Sequence, residues 1–364
     1  MKILVIQLKQ IGDVLLSTPV CNSLKKTYSS AQIDYIIYDY TAGVVDNNPS
    51  ISKIIKITKK ERESYIEFLK LLLKIRKEKY DIVLNIQGKL EGTLITLASG
   101  AKLKIGFDRK GWEIFHTKIV NESNSKKITG AGNTIDGRLS LLTALDDEVK
   151  YDYDLKIYLK DDEVIRIKNK MIKFGINIDR PIISMGITSR RDYRIWPVEY
   201  FSKIMDYLIK KYNAQIILFY APNDKKYNSE KDYCEAAKKL VENNKNVFTN
   251  IETENVRELL CLLKNSDIYI GNDNGPRHFA QGVDTPAFCI FSPTANKWDF
   301  NPHNNPRFRA IDLQDALGLD NEKYKEYTKN LDRDKNSMEY FKEIKPEFVI
   351  SEIDKMIKEL NLFK

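Results

Sequence analysis

Cysteine is scarce in this chain. The four thiols, Cys21, Cys234, Cys261 and Cys289, lie far apart and form no CxxC pair. That excludes a disulfide-stapled secreted scaffold and predicts small buried apolar groups in a reducing compartment. Histidine is scarcer still: His116, His278 and His303 are the whole set. A His-based metal cage would need all three, and no paired spacing points to zinc. No apolar run approaches the roughly 20 residues that a membrane-spanning helix needs. The opening MKILVIQLKQIGDVLL is soon interrupted by Gln, Lys and Asp and lacks a small-residue cleavage site, so it reads as a first strand and not as a signal peptide. Internal repeats, low-complexity tracts and blocks of like charge resembling a nucleic-acid arm are also missing. No G-x-G-x-x-G follows the first strand, which argues against a dinucleotide oxidoreductase.

What the chain does have is enough apolar material for a sizeable core. It has 364 residues, of which 42% are hydrophobic and 30% charged. At roughly 100–200 residues per domain, two domains are expected. The net charge of +8 is uneven. Residues 1–150 hold 24 Lys and Arg against 17 Asp and Glu, whereas residues 151–364 hold 35 against 34. A basic first half suggests an anionic partner such as a phosphorylated glycan, nucleic acid or a lipid headgroup, with compositional drift as the alternative.

Short apolar runs alternate with helical patterns. Lys2–Gln7, Gln32–Tyr38, Lys53–Thr58 and Asp81–Ile86 read as strands, and Asp13–Lys26 and Arg62–Lys79 as amphipathic helices. The pattern restarts with strands at Pro181–Gly186, Ala214–Tyr220, Asp267–Gly271 and Ala287–Phe291. Helices are expected at Pro197–Tyr212, 229–243, 255–264, 275–282 and Pro346–Leu360. Such alternation predicts parallel sheets with helices on both faces. Residues 146–180 contain a charged helix and no convincing strand, so the boundary is expected near 160–180, while 313–340 fits no assignment. Two doubly wound halves in succession predict a ligand in the cleft between them, at the carboxyl ends of the strands.

Three segments carry chemistry. Gln7-Leu-Lys-Gln-Ile-Gly-Asp-Val14 joins the first strand to the first helix, and Gly12 lets backbone approach closely. Asp13 there is either a plain N-cap or an ionised carboxylate that accepts a proton from a sugar hydroxyl. Gly271-Asn-Asp-Asn-Gly-Pro-Arg-His-Phe-Ala280 runs from a strand into a helix, whose free N–H groups make an anion site. Gly275 keeps side-chain bulk away from that site. Asp273 and His278 lie near its mouth, or belong to a capped turn with a satisfied surface histidine. Gly186-Ile-Thr-Ser-Arg-Arg-Asp-Tyr-Arg-Ile-Trp-Pro197 is rich in arginine, a fixed charge that binds phosphate bidentately. The alternative is a solvated loop, with Trp196 as a packing anchor. Asp152-Tyr-Asp154 spells DxD, but no strand places it, and no metal is implied. Arginine and a helix N-terminus can stabilise a leaving diphosphate instead.

These segments, together with NIQGKLEGTLITLASGAKLKIGFDRK, the continuation GVDTPAFCIFSPT and the closing EIKPEFVISEI, resemble glycosyltransferase family 9, the heptosyltransferases of lipopolysaccharide core synthesis. The resemblance covers most of the chain. It implies an α/β chain of GT-B fold, with two Rossmann-like domains whose parallel sheets face across a cleft. Residues 1–165 would bind the acceptor, 175–345 the nucleotide sugar, and 346–364 would form a C-terminal helix. It implies inverting, metal-independent transfer of a heptose from ADP-heptose to the inner core, with no cofactor. Asp13 falls on the position of the general base. Ser189, Arg190 and Arg194 fall on phosphate-contacting positions, with Arg194 where Lys is usual. Asp273, Asn274, Gly275 and His278 fall on the D-(S/T)-G-x-x-H donor motif, and Asp224 on the ribose-binding position. Lys9, Gly12, Lys89 and Arg109 are the acceptor-side or cleft residues. Gln7 replaces a usual Arg or Lys, Asn274 replaces Ser or Thr, and Asn336-Ser-Met338 stands where many relatives are Cys-rich. The alternatives are a GT-B transferase for another nucleotide sugar, a sugar-nucleotide epimerase, or a nucleotide- or glycan-binding module without turnover.

The implied partners are a nucleotide-sugar donor and an anionic lipid-linked glycan acceptor, with no nucleic acid. The implied location is cytoplasmic, with peripheral contact at the inner face of the inner membrane. Lys59-Lys60-Glu61-Arg62 and Phe68–Lys79 are the candidate contact segments, against the alternative of an ordinary amphipathic helix.

Overall fold

The computed structural model describes residues 1–109, 111, 113–121, 128, 132–221, 228–303 and 305–363. The chain divides into two compact units, Met1–Tyr158 and Leu159–Lys364. Each is built on one six-stranded parallel sheet.

In the first unit the strands are β1 (Lys2–Ile6), β2 (Gln32–Tyr38), β3 (Lys53–Ile57), β4 (Ile82–Asn85), β5 (Leu103–Phe107) and β6 (Lys118–Val120), in the order β3-β2-β1-β4-β5-β6. In the second they are β7 (Ile182–Gly186), β8 (Gln215–Leu218), β9 (Val247–Phe248), β10 (Ile268–Asn272), β11 (Ala287–Ile290) and β12 (Phe308–Ile311), in the order β12-β11-β10-β7-β8-β9. Both are the doubly wound order. Strand order reverses between β1 and β4 in one sheet and between β7 and β10 in the other, and ligands of such sheets bind outside the carboxyl ends at that reversal. The residues that follow β1, β4, β7 and β10 are the segments singled out above.

Strands β5, β6, β9 and β12 escape the sequence pattern. The outer three are two to four residues long, and lysine or arginine interrupts β5, β6 and β12. An edge strand buries one flank less, so its hydrophobic pattern is weaker.

The first helix is also two. Ile11–Leu15 ends before Thr18–Thr27 begins. Pro19 has no N–H to give the Leu15 carbonyl, and Thr18 Oγ1 donates to that carbonyl instead, at 2.8 Å. Likewise the expected helix 62–79 is Lys59–Glu63 followed by Tyr65–Glu78, with Ser64 capping the second at Glu67 N. Residues 313–340 contain short helices at Leu313–Leu317, Asn321–Tyr327 and Ser337–Phe341.

Helix Asp161–Lys173 places Ile167 and Met171 in a cluster with Ile182, Ile217 and Leu262, so its core partners lie in the second unit. Helix Pro346–Leu360 buries Val349, Ile353 and Met356 in the main core of that unit, around Trp196, Phe201 and Phe288. Trp196 is fully buried, stacks edge-on against Tyr200 and Phe201, and donates its indole N–H to the Ile344 carbonyl at 3.1 Å. It is a packing anchor. All four cysteines are buried free thiols, and burial pushes the Cys261 thiol up to about 11.

Two glycines set the floor of the second sheet. The ring of Tyr269 lies across Gly186 and Gly271. A Cβ at Gly186 would sit 2.6 Å from the Tyr269 hydroxyl, and one at Gly271 would sit 2.6 Å from the Gly186 carbonyl. Gly271→Ala should therefore displace Tyr269 and cost about 1–3 kcal/mol by overpacking. Urea unfolding checks this; an unchanged midpoint would show that the ring moves aside freely.

Candidate functional site

In the first unit the site begins at the carboxyl end of β1. The loop after β1 leads into helix Ile11–Leu15, whose N-cap is Gln10 and not Asp13. Asp13 is the third helical residue, so the capping alternative does not hold. Its side chain is about one-third exposed, at 31%.

Arg138 holds Asp13 from helix Asn133–Leu139. Its Nη2 donates to Asp13 Oδ1 at 2.7 Å and its Nη1 to the Asp13 carbonyl at 2.6 Å. The guanidinium side chain is only 8% exposed. Ser17 Oγ and Gln7 Nε2 donate to the same carbonyl at 2.8 and 3.3 Å. One backbone oxygen thus gathers three side-chain donors, which fixes the carboxylate's position on the helix. Lys9 Nζ stands 3.9 Å from Asp13 Oδ1. Arg138 has no local signal in the sequence, because 125 residues separate it from Asp13.

The other first-unit candidates share that sheet edge. Gly12 lies beside Asp13 in the helix. Lys89 occupies the N-cap position of helix Leu90–Ser99 and is exposed. Gly88, at φ 61°, donates its N–H to Asn85 Oδ1 at 3.0 Å, and a Cβ there would lie 2.8 Å from Arg109 Cδ. The left-handed turn therefore lets Arg109 pass over the loop after β4.

In the second unit Asn272, the last residue of β10, is the organiser. Its Nδ2 donates to the Ile187 carbonyl at 2.8 Å and its Oδ1 accepts from Trp196 N at 3.1 Å. One buried amide therefore pins both ends of the arginine-rich loop. Ser292 Oγ adds a bond to the Tyr193 carbonyl at 3.0 Å. Within that loop Ser189 is half-buried and Arg190 exposed. Arg194 Nη1 lies 3.2 Å from Asp273 Oδ2. Asp224 lies outside the described residues.

Asn274 caps helix Gly275–Gly282 by backbone geometry, but its side chain makes no capping bond. It works as a spacer. Nδ2 donates to the Thr188 carbonyl at 3.0 Å, and Oδ1 accepts from the Tyr269 hydroxyl at 2.9 Å. Neither end of the Asn274 amide therefore caps the first N–H groups of that helix. A Cβ at Gly275 would meet only Phe279, at 3.7 Å. Protein packing does not demand glycine there.

His278 is buried, not a surface histidine. The neighbouring Arg277 is fully buried and donates to the Phe300 carbonyl from both Nη1 and Nη2 at 3.0 Å, and to Asn301 Oδ1 at 2.6 Å. Arg277 Nη1 also lies 3.1 Å from His278 Nδ1. A guanidinium has no acceptor, so Nδ1 must accept and the neutral ring carries its proton on Nε2. The sequence displays Arg277 inside a chosen segment, yet nothing in the spacing assigns it this task.

Among the described residues no cluster of three or more His, Cys, Asp and Glu side chains is arranged to hold a metal. Asp154 of the DxD spelling pairs with Lys156 at 3.5 Å, in irregular backbone.

The comparisons with known proteins give the family and the fold. The sequence profile of glycosyltransferase family 9 (heptosyltransferase) matches residues 68–328, and the chain belongs to that family. It is a glycosyltransferase, and its two Rossmann-like units are those of the GT-B fold. The chain is 26% identical over 359 residues to lipopolysaccharide heptosyltransferase 3 of Escherichia coli, covering 95% of this chain and 96% of that protein. The solved structure of a family 9 glycosyltransferase from Veillonella parvula superposes with a TM-score of 0.81 at 20% identity, over 98% of this chain and 97% of that one. The structure of the E. coli ADP-heptose LPS heptosyltransferase II gives 0.73 at 15% identity, over 99% and 100%.

Burial pushes the Asp273 carboxyl above its ordinary 3.8, against the opposing pull of Arg194 and Arg277. A raised folded-state pKa means stability that is present in full below 3.8 and lost as pH rises through the shifted value. The advantage of Asp273→Asn over wild type in unfolding free energy should therefore grow with pH across that window. Urea melts at a series of pH values check this; a constant difference would show that Arg194 and Arg277 fully offset burial.

Proposed function

We propose that the chain transfers a heptose from ADP-heptose to the inner core of lipopolysaccharide or lipooligosaccharide, with inversion and without a metal. Family membership and the near full-length likeness to lipopolysaccharide heptosyltransferase 3 support the substrate class. The observation that carries the chemistry is the Asp13 carboxylate, held at a sheet reversal by Arg138 through Oδ1 and the backbone, while Oδ2 makes no hydrogen bond among the described residues.

In this reading Asp13 Oδ2 takes the proton of the acceptor hydroxyl as that oxygen bonds to the anomeric carbon. The bond from that carbon to the diphosphate breaks, and ADP leaves with the electron pair. Attack opposite the leaving group inverts the centre. Arg194, Ser189, Arg190 and the N–H groups at Gly275 hold the diphosphate and neutralise its developing charge. His278 adds a donor through Nε2–H. Asp224 holds the ribose hydroxyls. Lys9, Lys89 and Arg109 bind the anionic acceptor, whose lipid is presented at the inner face of the inner membrane in a cytoplasmic location. No metal is needed where fixed cations stabilise the leaving group.

Asp13→Asn keeps an oxygen for Arg138 but removes the base, so it isolates proton transfer from packing. Transfer, followed by mass spectrometry of the acceptor, should fall by about 10²–10⁴-fold, while calorimetric affinity for ADP is retained. Activity within about tenfold of wild type, roughly 1.4 kcal/mol of barrier, would reject Asp13 as the base. Arg194→Ala should weaken ADP binding by about 1.5–3 kcal/mol, and transfer by the wild type should persist in EDTA.

A further inference from the structure

The helix that joins β3 to β4 has two apolar faces. Leu71 and Ile75 of Tyr65–Glu78 enter the core of the first unit, beside Ile95 of helix Leu90–Ser99 and Leu4, Ile6 and Val83 of the sheet. Its other face exposes Tyr65 at 95%, Ile66 at 68%, and Leu69 and Leu73 at 57% each. At 3.6 residues per turn these four fall within an arc of roughly 100°. That is a complete amphipathic stripe with nothing of the first unit on it.

Helix Leu90–Ser99 packs alongside and exposes Leu90 and Leu97, which share one of its faces. Scattered exposed apolar residues are ordinary, but a contiguous patch of this kind marks an interaction site. Both helices start at the carboxyl edge of the sheet, where Asp13, Lys9 and Lys89 lie, because each follows a strand of a parallel sheet.

Charge decides the occupant. Residues 59–79 contain eight Lys and Arg against four Glu. Of those glutamates, Glu78 is taken up by Lys2 and Lys53, and Glu67 by Lys60 and Lys70. Lys70, paired with Glu67 at 2.8 Å, and Lys77 are exposed and lie along one flank of the stripe. A long lysine stem lies along apolar surface while its ammonium reaches outward. An apolar stripe rimmed by lysine suits a bilayer with anionic headgroups, into which Ile66, Leu69 and Leu73 would dip while the lysines meet phosphate. A second copy of the same basic surface would instead repel the first.

We propose that the exposed faces of helices Tyr65–Glu78 and Leu90–Ser99 are a docking surface for an anionic phospholipid membrane. This deepens the functional reading by naming the surface that brings the acceptor-side sheet edge to the lipid. The test is separate from that reading, since bare vesicles contain neither glycan nor nucleotide sugar.

The full-length chain should float with phosphatidylglycerol-containing vesicles, should not float with pure phosphatidylcholine vesicles, and should be released by 0.5 M salt as an order-of-magnitude condition for screening within a few ångströms. Leu69→Ser with Leu73→Ser, and separately Lys70→Glu with Lys77→Glu, should each lower partitioning at least tenfold, with the thermal midpoint and ADP affinity unchanged. Flotation indifferent to lipid charge, no flotation at all, variants that partition like wild type, or self-association through this face in sedimentation without vesicle binding would each overturn the proposal.

Discussion

A buried guanidinium fixes a candidate site side chain in each half of this enzyme. Arg138 grips both the carboxylate and the backbone carbonyl of Asp13, and Arg277 presses a donor against Nδ1 of His278. Arginine suits both tasks because it is charged at every accessible pH and cannot accept a hydrogen bond. It dictates which atom of its neighbour it engages: Oδ1 on Asp13 and Nδ1 on His278. Buried charge is costly unless paired and hydrogen-bonded; Arg138 meets the Asp13 carboxylate and carbonyl, and Arg277 meets the Phe300 carbonyl and the Asn301 amide oxygen.

Around these two points the sheets supply position and the amides supply rigidity. Parallel strands bring every carboxyl end to one edge, and the reversal of strand order opens room there. In the second unit Asn272 and Asn274 then tie the arginine-rich loop to β10 and to the following helix. Asn274 is a departure from the Ser or Thr expected in the donor motif. Its two amide ends bond Thr188 and Tyr269 at once, which a single hydroxyl could not span. Gln7, another departure, contributes an amide to the Asp13 carbonyl, while the cation beside Asp13 comes from Arg138.

The same economy extends to the surface. Tyr65–Glu78 needs only Leu71, Ile75 and their neighbours to hold it on the sheet, yet it carries a second stripe of large apolar residues. Packing of the first unit gives no reason for that stripe. Among the described residues no helix is long and apolar enough to cross a membrane.

Periodicity determined most of the architecture. The central strands, the two halves and the helices that connect them follow from alternating apolar runs, since a strand buried on both faces has no freedom of composition. The loops after β1, β7 and β10 were legible because Gly, Pro, Asp and Arg interrupt the pattern there. Short edge strands such as β6 and β9 were not legible, because two or three half-exposed residues carry no period. Only the tertiary structure decided which side chains meet. Asp13 becomes a third helical residue and not a cap, His278 becomes buried, and Arg138 crosses 125 residues to reach Asp13. Long-range pairing leaves no trace in local spacing, because it is created when separate strands are drawn into one sheet.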